Sequence, residues 1–395
     1  MTAMENNNKT LNVPNLRFPE FFGEWEKCSL GEIGHTSIGL TYSPADVAKE
    51  DGIIVLRSSN IQDGEIDYKD LVRVNKKIKD SLFTKKDDIL ICARNGSPRL
   101  IGKNALISDV DAGHSYGAFM MVYRSEENPF VRQLLCTKRY FAQVGENLGA
   151  RINQITTSDM NSFEFFFPQS KEERNKIALF LRIIDERIST QKKIINKYES
   201  LIRGLTDNAF NRNISSPKIS FSNLYKDAGE GGTPSTSNSE YYEGGAIPFI
   251  KIDDLVTKYL VTHKDCITEL GLHKSSAWLI PSGSVIYSNG ATIGSISINT
   301  FPVCTKQGIL GIIPKDNVNV EYLYYFMTSI YFRKEIHRII TEGTMKTAYL
   351  KDINKILCPL PCLEKQNTIA NRISHYDKKI ELDKRVLSLF QTQKK

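Results

Sequence analysis

The chain has 395 residues, a formal net charge of +7, and 41% hydrophobic against 25% charged residues. That balance excludes a disordered or fibrous chain, and the length suggests two or three domains. No apolar run approaches the ~20 residues of a membrane span, and a mildly basic surface permits an anionic partner without naming one.

Residues 1–20 read as an N-terminal tail whose start, Met1 to Thr10, is polar and Asn-rich with no apolar signal segment. The seven cysteines then fit a reducing cytoplasm. From 21 to 168, short apolar runs alternate with Gly, Asn and Asp turns, and 130–144 reads as helical. The apolar run 163–167 reads as a strand that Pro168 ends, because proline cannot continue a ladder. A long helix is predicted over 169–212. Ile177, Leu181, Ile184, Ile188, Gln191, Ile195, Tyr198 and Ile202 recur at steps of four and three, a heptad seam continued by Leu205.

The pattern then restarts. Residues 213–361 again mix short strands and turns, with a helical stretch at 320–340 and a strand at 353–358 running into Pro359 and Pro361. A second helix, 362–395, carries the seam Ile369, Ile373, Tyr376, Ile380, Asp383, Leu387 and Phe390. Each seam has one polar slot, Gln191 and Asp383, of the kind that lowers stability but fixes register. The two copies lie about 192 residues apart. Glu172, Asn175, Ile177-Ala178, Asp185, Ile188 and Lys192 match Glu364, Asn367, Ile369-Ala370, Asp377, Ile380 and Lys384. Weaker echoes pair Lys27-Cys28-Ser29 with Lys218-Ile219-Ser220, and Val55-Leu56-Arg57-Ser58 with Phe249-Ile250-Lys251-Ile252. Further echoes pair 89–96 with 285–290, and Gly149 with Gly343. Two long helices with facing seams follow, each closing a mixed domain; the alternative is that each helix packs on its own domain. The fold class is α+β, two repeated globular domains and not a doubly wound sheet.

Catalytic signatures are missing. There is no phosphate-binding G-x-x-x-x-G-K-[ST] and no H-E-x-x-H, and the six histidines are scattered. Asn128-Pro129-Phe130 resembles the N-P-P-[YF] loop of amino-methyltransferases but lacks a proline and a Gly-rich cofactor loop. Cys358 and Cys362 read as two buried thiols beside a proline turn. Asp87-Asp88 and Asp253-Asp254 lack the Pro-Asp…(Asp/Glu)-x-Lys spacing of a nuclease. The chain reads as a non-enzyme, or as an enzyme whose site has no local signature; no catalytic residue, metal or cofactor is assigned.

The repeated order of strand, proline, Asn-x-Ile-Ala helix start and heptad helix resembles the specificity subunit of type I restriction-modification systems. The opening Leu16-Arg17-Phe18-Pro19-Glu20-Phe21, with Trp25-Glu26 and Leu30-Gly31-Glu32-Ile33, is similar to the start of many such subunits. Pro361, Glu364, Gln366 and Ile369 follow the family's Pro-x-x-Glu-x-Gln-x-x-Ile pattern; in the first copy Arg174 stands where Gln is usual. The resemblance implies two target recognition domains, each reading half of a split double-stranded DNA site, spaced by an antiparallel coiled coil. It also implies two docked DNA adenine methyltransferase subunits, restriction and motor subunits, and no catalysis by this chain. A coiled coil of about 34 residues spans roughly 50 Å, and a DNA turn about 34 Å.

Major-groove reading needs Arg or Lys toward guanine and Asn or Gln toward adenine. The turn candidates in the first half are Arg57, Ser58, Asn60, Arg94, Asn95, Arg99, Arg151, Asn153 and Gln154. In the second half they are Lys251, Ser288, Asn289, Lys306, Gln307, Lys346 and Thr347. Each is as compatible with a phosphate contact as with base reading. The competing reading is a coiled-coil scaffold with two protein-binding heads and no DNA role.

Overall fold

The computed structural model describes residues 12–148, 153–211, 216–340 and 346–394. Arg151, Gly149 and Gly343 lie outside the described residues. The chain folds as two compact units, dividing between Arg187 and Ile188.

In the first unit an antiparallel sheet runs in the order His35–Ile38, Met120–Arg124, Ile89–Cys92, Asn104–Leu106. The apolar run Ile89–Cys92 is buried on both faces: Ile89 and Ile91 join Met121, Tyr123, Phe130 and Phe163, while Leu90 and Cys92 join Leu56, Met120 and Val122. That is why it reads as a continuous apolar stretch and not as an alternation. A second sheet orders Ser115–Tyr116, Ile53–Leu56, Val72–Val74 and Val47–Ala48, its first pair parallel. A short antiparallel ladder sets Cys28 opposite Phe165, so the unit's beginning clasps the strand that leads into the long helix.

The second unit repeats this plan. Its larger sheet orders Tyr225–Glu230, Ile309–Pro314, Val285–Ser288, Ile296–Asn299 and one further strand, Tyr259–Leu260. The smaller one orders Asp265–Ile267, Ile247–Ile250 and Cys304–Thr305, again with one parallel pair. The clasp recurs with Ile219 opposite Cys358. Both expected helical stretches are broken helices: Asn128–Leu134 and Lys138–Leu148 in the first unit, Val320–Thr328 and Ile330–Ile339 in the second, where Ser329 caps the later helix. Cys358 is buried as expected, but Cys362 is exposed because it follows Pro361 out of the strand into the helix start. Asn128 has a structural job: its amide donates to the Asp87 and Tyr123 carbonyls.

The long helices are Lys171–Ala209 and Leu363–Lys394. Within the second unit, the first helix from Ile188 onward lies antiparallel to the second. Tyr198 stacks at 5.9 Å from Tyr376, Glu199 pairs with Lys384, and Ile195 and Ile380 are buried. Gln191 is half-buried, and its Nε2 has no hydrogen-bond partner among the described residues. The starts of both helices also pack on their own heads. Ile177 and Ala178 join the first core, and Ile369, Ala370 and Ile373 join the second together with Ile202 and Leu205. One seam therefore serves two contacts, docking at the helix start and helix pairing beyond it.

Candidate nucleic-acid interface

In the first unit the chain leaving Ile89–Cys92 meets two other turns. The amides of Ala93 and Arg94 both donate to the Phe119 carbonyl, at 2.9 and 3.0 Å, and Arg94 bridges antiparallel to Gln154. The Asn95 amide donates to the Asn153 carbonyl at 3.3 Å, and the Asn95 side chain to Ser58 Oγ at 2.9 Å. Asn153 takes φ +49°, a conformation asparagine tolerates better than most residues, and its side chain returns to the Gly96 carbonyl. Ser58, Arg94, Asn95, Asn153 and Gln154, far apart in sequence, thus converge. Arg94 is exposed and lies over the Phe119 ring at 5.1 Å. Arg99 is exposed on the neighbouring turn Pro98–Leu100.

The second unit builds the same node from other residues. The amides of Asn289 and Gly290 donate to the Gly308 carbonyl at 3.0 and 3.2 Å, and Gly290 bridges to Thr347. The structural partners of Asn289-Gly290 are therefore Ala93-Arg94, two residues from the Asn95-Gly96 match suggested by the sequence. Sheet register decides this, since Cys92 faces Met120 as Ser288 faces Ile309. Lys306, Gln307 and Lys346 are exposed around this node.

Several candidates instead serve the scaffold. Asn60 is fully buried: its Oδ1 accepts the Arg57 amide, and its Nδ2 donates to the Asp67 and Asp70 carbonyls. Asp254 does the same for the Lys251 amide, which makes these turns true repeats. Ser288 is buried with its hydroxyl on the Gly290 and Thr292 carbonyls, and Asn289 is buried against Ala348. Arg57 and Lys251 are half-buried and paired with Asp70 and Asp265 at 2.8 and 2.9 Å. Residue type alone could not separate these polar groups from free ones. Phe119, at the centre of the first node, carries no polar signature and was missed.

Four sets of contacts fix the heads on the helices. In the first unit Arg174 makes a bidentate pair with Glu127, at 2.7 and 2.9 Å, and donates to the Pro168 and Gln169 carbonyls. The guanidinium holds the Glu127 carboxyl below the ordinary glutamate range against the opposing effect of burial. In the second unit Gln366 occupies this place; its Oε1 accepts the Asn319 amide, and its Nε2 donates to the Asn317 and Pro361 carbonyls. The opening segment is tied down where Arg17 grips Glu173, itself only 1% exposed, and Trp25 Nε1 donates to the same carboxylate. In the second unit Lys258 reaches Tyr325 at 2.7 Å, Glu321 and Ser374 both at 3.1 Å, and Asp377 at 3.7 Å. Burial raises the Asp377 carboxyl above its usual range. Among the described residues, no cluster suited to a metal occurs and no helix is long and apolar enough to cross a membrane.

Two repeated α+β units, each closing on a long helix, define a class of duplicated-domain proteins. A family model, the type I restriction modification DNA specificity domain, matches residues 23–200 and again 226–389. The chain belongs to that family of specificity subunits. It is 37% identical over 169 residues to the type I restriction enzyme MjaIX specificity subunit of Methanocaldococcus jannaschii, covering 40% of this chain and 38% of that one. It is 36% identical over 115 residues to the HindI specificity subunit of Haemophilus influenzae, covering 29% and 25%. These alignments span well under half of each relative's length. The fold is similar to the crystal structure of the type I restriction-modification S subunit from M. genitalium, with TM-score 0.63, 16% identity, and 97% and 96% of the two chains covered.

Proposed function

We propose that the chain reads a bipartite target in double-stranded DNA for a type I restriction-modification complex, one head per half-site. Residues 21–168 and 213–361 would be the heads, 169–212 and 362–395 the spacer helices, and 1–20 the tail. The helices would also dock two DNA adenine methyltransferase subunits, joined by restriction and motor subunits for cleavage, while this chain performs no chemical step. A reducing cytoplasm suits its seven free thiols. Ser58, Arg94, Asn95, Arg99, Asn153 and Gln154, with Arg151 beside them in sequence, are proposed as DNA contacts of the first head. Lys306, Gln307, Lys346 and Thr347 are proposed for the second, with Arg57 and Lys251 at the rims. Asn60, Ser288 and Asn289 support those turns.

The observation that carries this reading is the shared node. One backbone arrangement appears twice with unlike side chains around it, which is what two readers of different half-sites require. The test is to express the chain with its methyltransferase subunit and measure DNA affinity against salt, then map methylation by long-read sequencing. The expected result is an affinity falling steeply with salt and adenine methylation at one split motif. A chain that binds no DNA alone or in that complex would instead be the protein-binding scaffold.

A further inference from the structure

The two nodes differ most at one point. The residue whose carbonyl gathers both strand-end amides is Phe119 in the first head and Gly308 in the second, and the amide donor beside it is Arg94 in the first and Gly290 in the second. Phe119 is 58% exposed although the turn that carries it is rigid. Its carbonyl is held by two amides, the Ala118 amide donates to the Leu40 carbonyl at 2.8 Å, and the Met120 amide to the Gly117 carbonyl at 2.8 Å. A phenyl ring is thus held outward on a fixed backbone, and the Arg94 guanidinium rests on it. Stacking on an aromatic ring restricts a guanidinium and leaves its N–H edge free for acceptors. At the two equivalent positions the second head has glycines. Gly308 takes φ +87°, strained for any side chain, and a Cβ on Gly290 would come within 3.3 Å of the Gly308 backbone.

We propose that Phe119 and Arg94 are specificity-determining residues of the first head and read two adjacent bases as one unit. The guanidinium takes O6 and N7 of a guanine in the major groove, and the ring edge packs on the 5-methyl group of the neighbouring thymine. Both contacts match the chemistry those base edges present. The glycine node of the second head reads no base through these two positions and leaves discrimination there to Lys306, Gln307 and Lys346. The inference rests on the DNA-reading function proposed above.

The test uses the chain in complex with its methyltransferase subunit and short duplexes of the mapped motif. Replacing one thymine at a time by deoxyuridine removes only the methyl group. At one position of one half-site, the wild-type complex should lose roughly five-fold in affinity, and Phe119→Ala should show no such difference between thymine and deoxyuridine. Arg94→Ala should lose about ten-fold or more of its preference for the adjacent guanine, with the other half-site unchanged. Phe119→Leu keeps an apolar group and loses the stacking, so the thymine effect should persist while guanine preference weakens. A deoxyuridine penalty equal in wild type and Phe119→Ala would overturn the proposal, as would motif changes in both half-sites or in neither. If the wild-type complex shows no split motif at all, the DNA-reading function itself fails, a distinct outcome.

Discussion

Arg174 departs from its family's pattern, and the structure gives the reason. Where the second head presents an amide from Asn319, the first presents the Glu127 carboxylate, so the helix residue facing it carries a positive charge. The substitution is a matched change on both sides of one contact. It has a pH signature. Glu127 titrates below its ordinary value of about 4.3, so the pair stabilises the fold above that pH and is lost as pH falls through the folded-state value. Arg174→Gln should lower stability at neutral pH by about 1–2 kcal/mol. The gap from wild type should shrink in melting curves taken at progressively lower pH; a gap that stays constant down to acid would refute the pairing. At this scale the sequence is least legible. Arg94 and Asn60 are both polar turn residues, yet one is exposed over an aromatic ring and the other is wholly committed to three internal hydrogen bonds. The difference lies in which turns meet in space, and residue type does not encode that.

The helices were legible because their signals are local. A heptad seam, a preceding proline and a first-turn carboxylate act within a few residues, and Lys171–Ala209 and Leu363–Lys394 start where those signals stand. The breaks at 135–137 and at Ser329 were hidden, since apolar spacing continues through them. So was the network around Lys258, which draws on three distant segments. Gln191 sits in the seam with an unsatisfied amide nitrogen among the described residues, so it costs stability. Gln191→Leu should raise the melting temperature, by about 1 kcal/mol of added stability, and loosen the choice of helix register, seen as a mixed population by cross-linking through cysteines placed at 198 and 376. A lower melting temperature would mean that the amide has a partner that matters.

For the whole molecule, the repeat predicts separable tasks: heads that choose bases and helices that set the distance between them. Adding one heptad to each long helix keeps the seam in phase, since seven residues are two turns of the pattern. The half-sites in the methylation motif should stay unchanged while the unread gap between them lengthens. Altered half-sites at constant gap would show that the helices do not act as a ruler. The repeat itself was visible in the sequence at an offset of about 192 residues. The alignment of the two nodes was not, because it depends on strand register and the shared carbonyl acceptors at Phe119 and Gly308.

The charged Arg174–Glu127 contact of the first head and its neutral counterpart at Gln366 in the second also bear on inheritance. Glu127 belongs to a head and Arg174 to a helix, so a genetic crossover at Pro168 would separate them. A head moved that way would bring a half-buried carboxylate to a glutamine, or a guanidinium to an asparagine, at a cost of about 1–3 kcal/mol. Heads should therefore travel between chains as cassettes that include the start of the helix, and natural recombination joints should fall beyond Arg174 in the first half and beyond Asp377, which Lys258 reaches, in the second.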